Sequence, residues 1–199
     1  MIIINLHGFN SGPGDKAEQL RKSFPGCNVI APQLPYNPLQ AIQDINEILA
    51  KYSEDEIHIV GTSLGAFYTM YLSTLHQDRG EMFYYLINPS FKPHKTLARY
   101  SGEVLTNFKT KEQFEVSLPF LVSLEEMYTS LVENYTPNCI YHSDYFIGSK
   151  DEVLDFTDII SFIQMYKVPY KLHYSTQDHR YCDMTDVIQQ LRENSLLFI

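Results

Sequence analysis

Ile57-His58-Ile59-Val60-Gly61-Thr62-Ser63-Leu64-Gly65-Ala66-Phe67-Tyr68 is the stretch on which the reading of the fold turns. Ile57 to Val60 is a short, β-branched, largely apolar run, as expected of a buried strand. From Leu64 to His76 the apolar residues Leu64, Phe67, Tyr68, Tyr71 and Leu75 recur at helical spacing. Between strand and helix stands Gly61-Thr62-Ser63-Leu64-Gly65. A G-x-S-x-G sequence is common by chance, but directly after a strand and before a helix it has the context of a nucleophile elbow. Such a turn aims the serine hydroxyl out of the sheet, beside the N–H groups and positive dipole of the helix start.

Moving outward, the same rhythm repeats. Ile2–Leu6 reads as a strand ending at His7-Gly8. Helical spacing follows at Ala17, Leu20 and Phe24, with Pro13 as a first helical residue. Val29-Ile30-Ala31 is a second strand. Asn37-Pro38 pairs a capping residue with a first-turn proline, ahead of Ile42, Ile45, Ile48, Leu49 and Tyr52. Tyr84 to Ile87 is a fourth strand, stopped by Asn88-Pro89. A fifth lies within Cys139 to Ile147, and Tyr170–Tyr174 is a sixth. Phe156, Ile159, Ile160 and Ile163 mark one late helix. Val187, Ile188 and Leu191 mark another, which Asp183 is placed to cap. This alternation predicts an α/β fold: a compact, mostly parallel sheet of about six strands flanked by helices. Residues 90–138 break the rhythm and read as a small helical cap insertion over the carboxyl edge, where open α/β sheets place their ligands. The whole of 1–199 is expected to be one domain.

Composition bounds the function. The 199 residues carry 24 acids against 15 Lys and Arg, a formal net charge of −9. That disfavours nucleic acid and anionic membranes as partners. The apolar fraction is 44%, enough for a core and against general disorder. The three cysteines, Cys27, Cys139 and Cys182, have no CxxC spacing, so neither a disulfide framework nor a metal centre is expected. The start of the chain does not read as a signal peptide, and no apolar run is long enough to span a bilayer. A soluble, cytoplasmic protein is expected, monomer or homodimer, with no cofactor.

A serine needs a base to become a nucleophile. In elbow-bearing sheets the order is Ser, then acid, then His. Among the seven histidines, His179 alone follows the last strand in a loop; His58, His142 and His173 read as strand residues. Asp151, in Gly148-Ser149-Lys150-Asp151, is the expected acid. Asp155 is its rival, better suited to a helix first turn. His142-Ser143-Asp144 resembles a triad only in letters, since strand neighbours point to opposite faces. Backbone N–H groups of Phe9 and Leu64 are the expected oxyanion donors, with His7 orienting its loop. His7, Gly8 and Phe91 are expected to meet substrate. Tyr100, Phe108, Phe114, Phe120 and Tyr128 would either line an acyl site with Phe91 or pack the cap onto the body. Cys182 reads either as a thiol near the site or as a partly buried residue.

Taken together, Leu6-His7-Gly8-Phe9-Asn10-Ser11, Pro32-Gln33-Leu34-Pro35, Gly61-Thr62-Ser63-Leu64-Gly65, Asn88-Pro89 and Asp151-Glu152-Val153-Leu154-Asp155-Phe156 resemble the YqiA-like small bacterial esterases of the α/β-hydrolase superfamily. The likeness runs in order from about residue 3 to 181. Departures are Ala66 and Lys150 where glycines are usual, and Gln177 to Tyr181 in place of a Gly-Asn-His-Ala-Phe type segment. The resemblance implies an α/β-hydrolase fold and serine hydrolysis of small acyl esters or thioesters. It places the nucleophile at Ser63, the acid at Asp151 and the base at His179. A non-catalytic binding protein on the same scaffold is the alternative, and a fluorophosphonate probe separates the two.

Overall fold

The computed structural model of the chain describes residues 1–195; the last four residues of the expected 1–199 span lie outside them. The central strands are apolar on both faces, so they need cover on both sides. Ile2, Ile4 and Leu6 of β1 (Ile2–Leu6) face one core, and Ile3 faces the other. β3 (Ile57–Thr62) splits likewise, with Ile57 and Ile59 on one side and Val60 on the other. β4 (Met82–Ile87) sends Tyr84 and Leu86 one way, Tyr85 and Ile87 the other. This two-sided burial is the signature of a parallel sheet between helical layers.

The sheet has six strands, all paired in parallel, in the order β2-β1-β3-β4-β7-β8. Here β2 is Asn28–Ile30, β7 is Ser143–Gly148 and β8 is Lys171–Ser175. Register is continuous across the centre: Ile4 sits opposite both Ile30 and Ile59, and Gly61 opposite Leu86. One face is covered by α2 (Pro38–Ala50), α3 (Leu64–Leu75), α5 (Leu118–Asn134) and α7 (Thr157–Gln164). The other is covered by α1 (Asp15–Ser23) and α8 (Thr185–Asn194). β1 is buried throughout, whereas β8, outermost in the order, is half-exposed along its length.

Local signals explain most boundaries. Asn37 Oδ1 accepts from the N–H groups of Leu39 and Gln40, at 3.0 and 3.1 Å. A cap of this kind is worth about 1 kcal/mol. α1 begins at Asp15 rather than Pro13, with Gly14 in the capping position. α8 begins at Thr185, and Asp183 Oδ1 accepts from the Thr185 N–H at 2.9 Å. Pro137 starts a short helix, α6 (Pro137–Tyr141), so the fifth strand of the sheet begins only at Ser143. Cys139 is therefore helical, and His142 ends that helix instead of lying in a strand. Ser143 Oγ donates to the Cys139 carbonyl, while Asp144 holds His173 Nε2 at 2.8 Å. These three residues serve the scaffold.

The insert is helical at both ends but not in the middle. α4 (Pro93–Leu97) and a 3-10 turn lead into an antiparallel hairpin of β5 (Val104–Thr106) and β6 (Gln113–Glu115). Asn107 Oδ1 accepts from the N–H groups of Lys109 and Thr110 and so closes the turn between them. No helix among the described residues is long and apolar enough to cross a membrane.

Candidate active site

Ser63 lies between β3 and α3 with φ 55° and ψ −115°, a backbone region that residues with a side chain seldom occupy. Crowding explains the flanking glycines. A Cβ on Gly61 would stand 2.3 Å from the Gly65 carbonyl oxygen. A Cβ on Gly65 would stand 2.3 Å from the carbonyl oxygen of Leu6. β1, β3 and α3 thus meet backbone to backbone at the elbow. Ser63 occupies the N-cap position of α3 yet spends no side-chain bond on capping. Its hydroxyl stays available.

Gly8 lies against the same serine, its Cβ position 3.3 Å from Ser63 Cβ. The loop carrying Gly8 and Phe9 is held by His7. Nε2 of His7 accepts from the Leu34 N–H at 3.0 Å, so the proton sits on Nδ1, which donates to the Gly8 carbonyl at 2.8 Å. Burial lowers the imidazole pKa, and the Gly8 carbonyl offsets this only in part. With both nitrogens engaged, His7 is a strut rather than a base. Leu64, whose N–H heads α3, is buried at the elbow.

At the far side of the sheet, Asp151 Oδ2 and His179 Nδ1 are 2.7 Å apart. Asp151 follows β7 and His179 follows β8, which are paired neighbours. The other carboxylate oxygen of Asp151 accepts from the Val153 and Leu154 N–H groups, at 2.8 and 2.9 Å. Burial pushes this carboxyl upward, but the bonds from His179 and the two backbone donors outweigh it and hold it below its ordinary value. An ionised Asp151 fixes the Nδ1–H tautomer and leaves the lone pair on Nε2. Asp155 instead accepts from Thr157 N and Oγ1, ahead of α7. Asp178 turns back to the Arg180 and Tyr181 N–H groups.

One residue joins the two halves. Asn88 is fully buried, with φ 42°. Its Nδ2 donates to the carbonyls of Asp178 and His179, and its Oδ1 accepts from the Gly148 N–H at 2.7 Å. On either side of it, Ser63 N–H donates to Ile87 O and Ser90 N–H donates to Ser63 O. The segment 87–90 therefore grips the serine, the strand before the aspartate and the histidine loop at once. In the sequence Asn88-Pro89 marks a strand end and is one of the motifs of the resemblance, but nothing there shows its bonding role. The signal that marks it is a polar residue at the end of a buried central strand. The same loop is tied to α1 through Lys16 Nζ to Arg180 O and Gln19 Nε2 to Cys182 O. Cys182 itself is exposed, not partly buried.

Residues near the elbow bound a cavity of about 320 Å³, mouth included, lined in part by His7, Gly8, Phe9, Leu64 and Phe120. Phe91 is not among them. Its ring is buried against Tyr128 and Phe162, between α5 and α7, which corrects its expected place at the substrate. Phe108 is exposed. Phe114 and Tyr100 pack on Phe9, joining the insert to the loop beside the serine. Among the described residues no three of His, Cys, Asp and Glu cluster as a metal site requires.

Compared with protein families, residues 2–194 match the uncharacterised protein family UPF0227. The chain belongs to UPF0227. Solved structures similar to this UPF0227 member share its α/β-hydrolase fold at low identity. Est1E from Butyrivibrio proteoclasticus, solved with ferulic acid bound, is 14% identical with a TM-score of 0.70, over 98% of this chain and 89% of that one. The mouse alpha/beta hydrolase domain-containing protein 10 is 15% identical with a TM-score of 0.69, over 96% and 88%. A monoacylglycerol lipase from Paleococcus ferrophilus is 12% identical with a TM-score of 0.69, over 98% and 95%.

Proposed function

We propose that this UPF0227 protein is a serine hydrolase of small acyl esters or thioesters. The observation that carries the reading is the 2.7 Å bond between Asp151 and His179 at the sheet edge that also holds Ser63 in its elbow. His179 Nε2 takes the Ser63 hydroxyl proton as Oγ attacks the acyl carbonyl carbon. The carbonyl π electrons move to oxygen, and the N–H groups of Phe9 and Leu64 hold the oxyanion. Donors of this kind are worth about 10²–10³ in rate each. Collapse expels the alkoxide or thiolate, which takes the proton from His179 and leaves acyl-Ser63. Water, deprotonated by His179, then adds to the acyl carbon, and the acid departs with Ser63 restored. Neighbours named as a hydrolase and a lipase fit this reading. So does an acidic protein with three unpaired cysteines acting on a small substrate in the cytoplasm.

The test combines p-nitrophenyl esters from acetate to octanoate with a fluorophosphonate probe, on wild type and Ser63→Ala. Turnover and labelling that both disappear in Ser63→Ala, with a rate loss of about 10⁴-fold or more, support the reading. Equal rates in the two proteins, or neither turnover nor labelling in folded wild type, overturn it in favour of a binding protein on a hydrolase scaffold.

A further inference from the structure

Two cavities share one aromatic wall near the elbow. The first is the cleft beside Ser63, and most of its 320 Å³ is open mouth. Its enclosed part has water-sized room of about 20 Å³, enough for one water molecule or a methyl group of similar size. The second is lined by the first residues of α2 and α5, and its water-sized room is about 200 Å³. The larger space is therefore not the one beside the serine.

The order of residues along the chain shows what stands between the two. Leu34, Pro35 and Tyr36 line the first cavity; Tyr36, Asn37 and Pro38 line the second. On α5, Pro119 and Ser123 line the second, while Phe120 lines both. Tyr36 and Phe120 alone are common to the two linings. Other rings hold them in place. The Tyr36 ring lies flat on Phe114 of β6, centroids 3.8 Å apart and planes 6° apart. Phe9 meets Phe114 at 5.6 Å and Phe120 at 6.1 Å, and both of those rings are buried. The Tyr36 hydroxyl is shielded from solvent and has no hydrogen-bond partner among the described residues, so ring packing rather than a polar bond fixes this side chain. The loop after β1, the segment after β2 and the insert thus meet in a wall of four rings.

The chemistry decides which part of a substrate faces that wall. The leaving oxygen takes its proton from His179, so it faces the β7 and β8 side. The carbonyl oxygen lies at the Phe9 and Leu64 N–H groups. The acyl chain is left with the side away from His179, where Leu64 and Tyr68 line the first cavity. One methyl group fills the enclosed room there, and each further methylene runs into Tyr36 or Phe120.

Resting on the serine hydrolase reading, we infer that Tyr36 and Phe120 set the acyl length: the protein takes acetyl-sized acyl groups, and the two rings wall off the larger cavity from longer ones. The test measures kcat/KM for p-nitrophenyl acetate, butyrate and octanoate. Wild type is expected to favour acetate over octanoate about tenfold or more. Tyr36→Ala opens the wall and should raise the octanoate-to-acetate ratio about tenfold. Phe120→Leu, a smaller change that leaves the segment bonded to His7 untouched, should move the ratio the same way. Ser123→Phe, which fills the larger cavity, should take the gain back when added to Tyr36→Ala. A series of acetate esters from ethyl to octyl should keep its wild-type profile in Tyr36→Ala and Phe120→Leu. A flat acyl profile in wild type overturns the inference. So does a ratio that neither variant moves, a gain that survives Ser123→Phe, or a gain for long alcohols in place of long acyl chains. In each of these cases Ser63 still labels with fluorophosphonate and the hydrolase reading stands. No turnover together with no labelling instead removes the hydrolase reading, and the acyl assignment falls with it.

Discussion

Ser63 and His179 are legible in the sequence because each has a local mark: a turn of fixed spacing after a strand, and a loop after the last strand. Asp151 is legible less directly, since only its bond to His179 separates it from Asp155. Asn88 and Phe91 show where such reading stops. The partners of Asn88 lie 60 to 91 residues away in the chain, and no periodicity encodes them. Phe91 follows a strand end near the serine, yet α5 and α7 bury it from two sides. The hub role of Asn88 is testable. Asn88→Ala strands the Gly148 N–H in the interior, at a cost of about 1–3 kcal/mol. It also frees the carbonyls of Asp178 and His179. The expected outcome is kcat lowered by about 10- to 100-fold, as a base misplaced by about 1 Å can cost, with KM for the p-nitrophenyl ester nearly unchanged. Steady-state kinetics on the folded variant checks this, and an unchanged kcat refutes the role.

Element by element, strands and long helices follow their apolar spacing, and Asn37-Pro38 places α2 to the residue. Misreadings fall where a short signal competes with a longer-range one. β5 and β6 are three residues each, below the length at which alternation is visible, so the insert reads as helix and loop alone. Thr136-Pro137 starts a helix where Cys139 and Ile140 look like strand. The loop after β1 carries a pH dependence that follows from one bond. Protonated His7 would set its Nε2–H against the Leu34 N–H. Burial keeps the folded pKa below the unfolded value of about 6.5. As pH falls through that value the unfolded chain binds the proton first, so this contribution to stability is full above about 6.5 and is lost toward the folded pKa. Wild type should therefore lose thermal stability between about pH 7 and 5. His58 and His76 share this direction through their own burial. His7→Gln should show a shallower Tm slope over the same range, and equal slopes would remove His7 from the effect.

For the molecule as a whole, the six-strand parallel sheet was the easiest level to read, because burial on both faces leaves continuous apolar runs at β1, β3 and β4. Neither the order of strands nor the seating of the insert can be read that way. Chain order says nothing of which strand is outermost. In this fold β2 and β8 are the two edges, β8 has no buried residue, and His179 follows its end. Stability is not uniform across a structure, and outer, half-exposed elements open first. The proposed proton acceptor is thus mounted on an edge of the scaffold that lets go early, while the serine sits on its most firmly held part. Gentle urea should silence turnover before the far-UV dichroism of the sheet changes. Amide exchange should open Lys171–Ser175 ahead of Ile57–Thr62, and coincident loss of activity and structure would show that the margin melts only with the centre. Such a chain would carry an off state reached by fraying, repaired each time the last strand settles back.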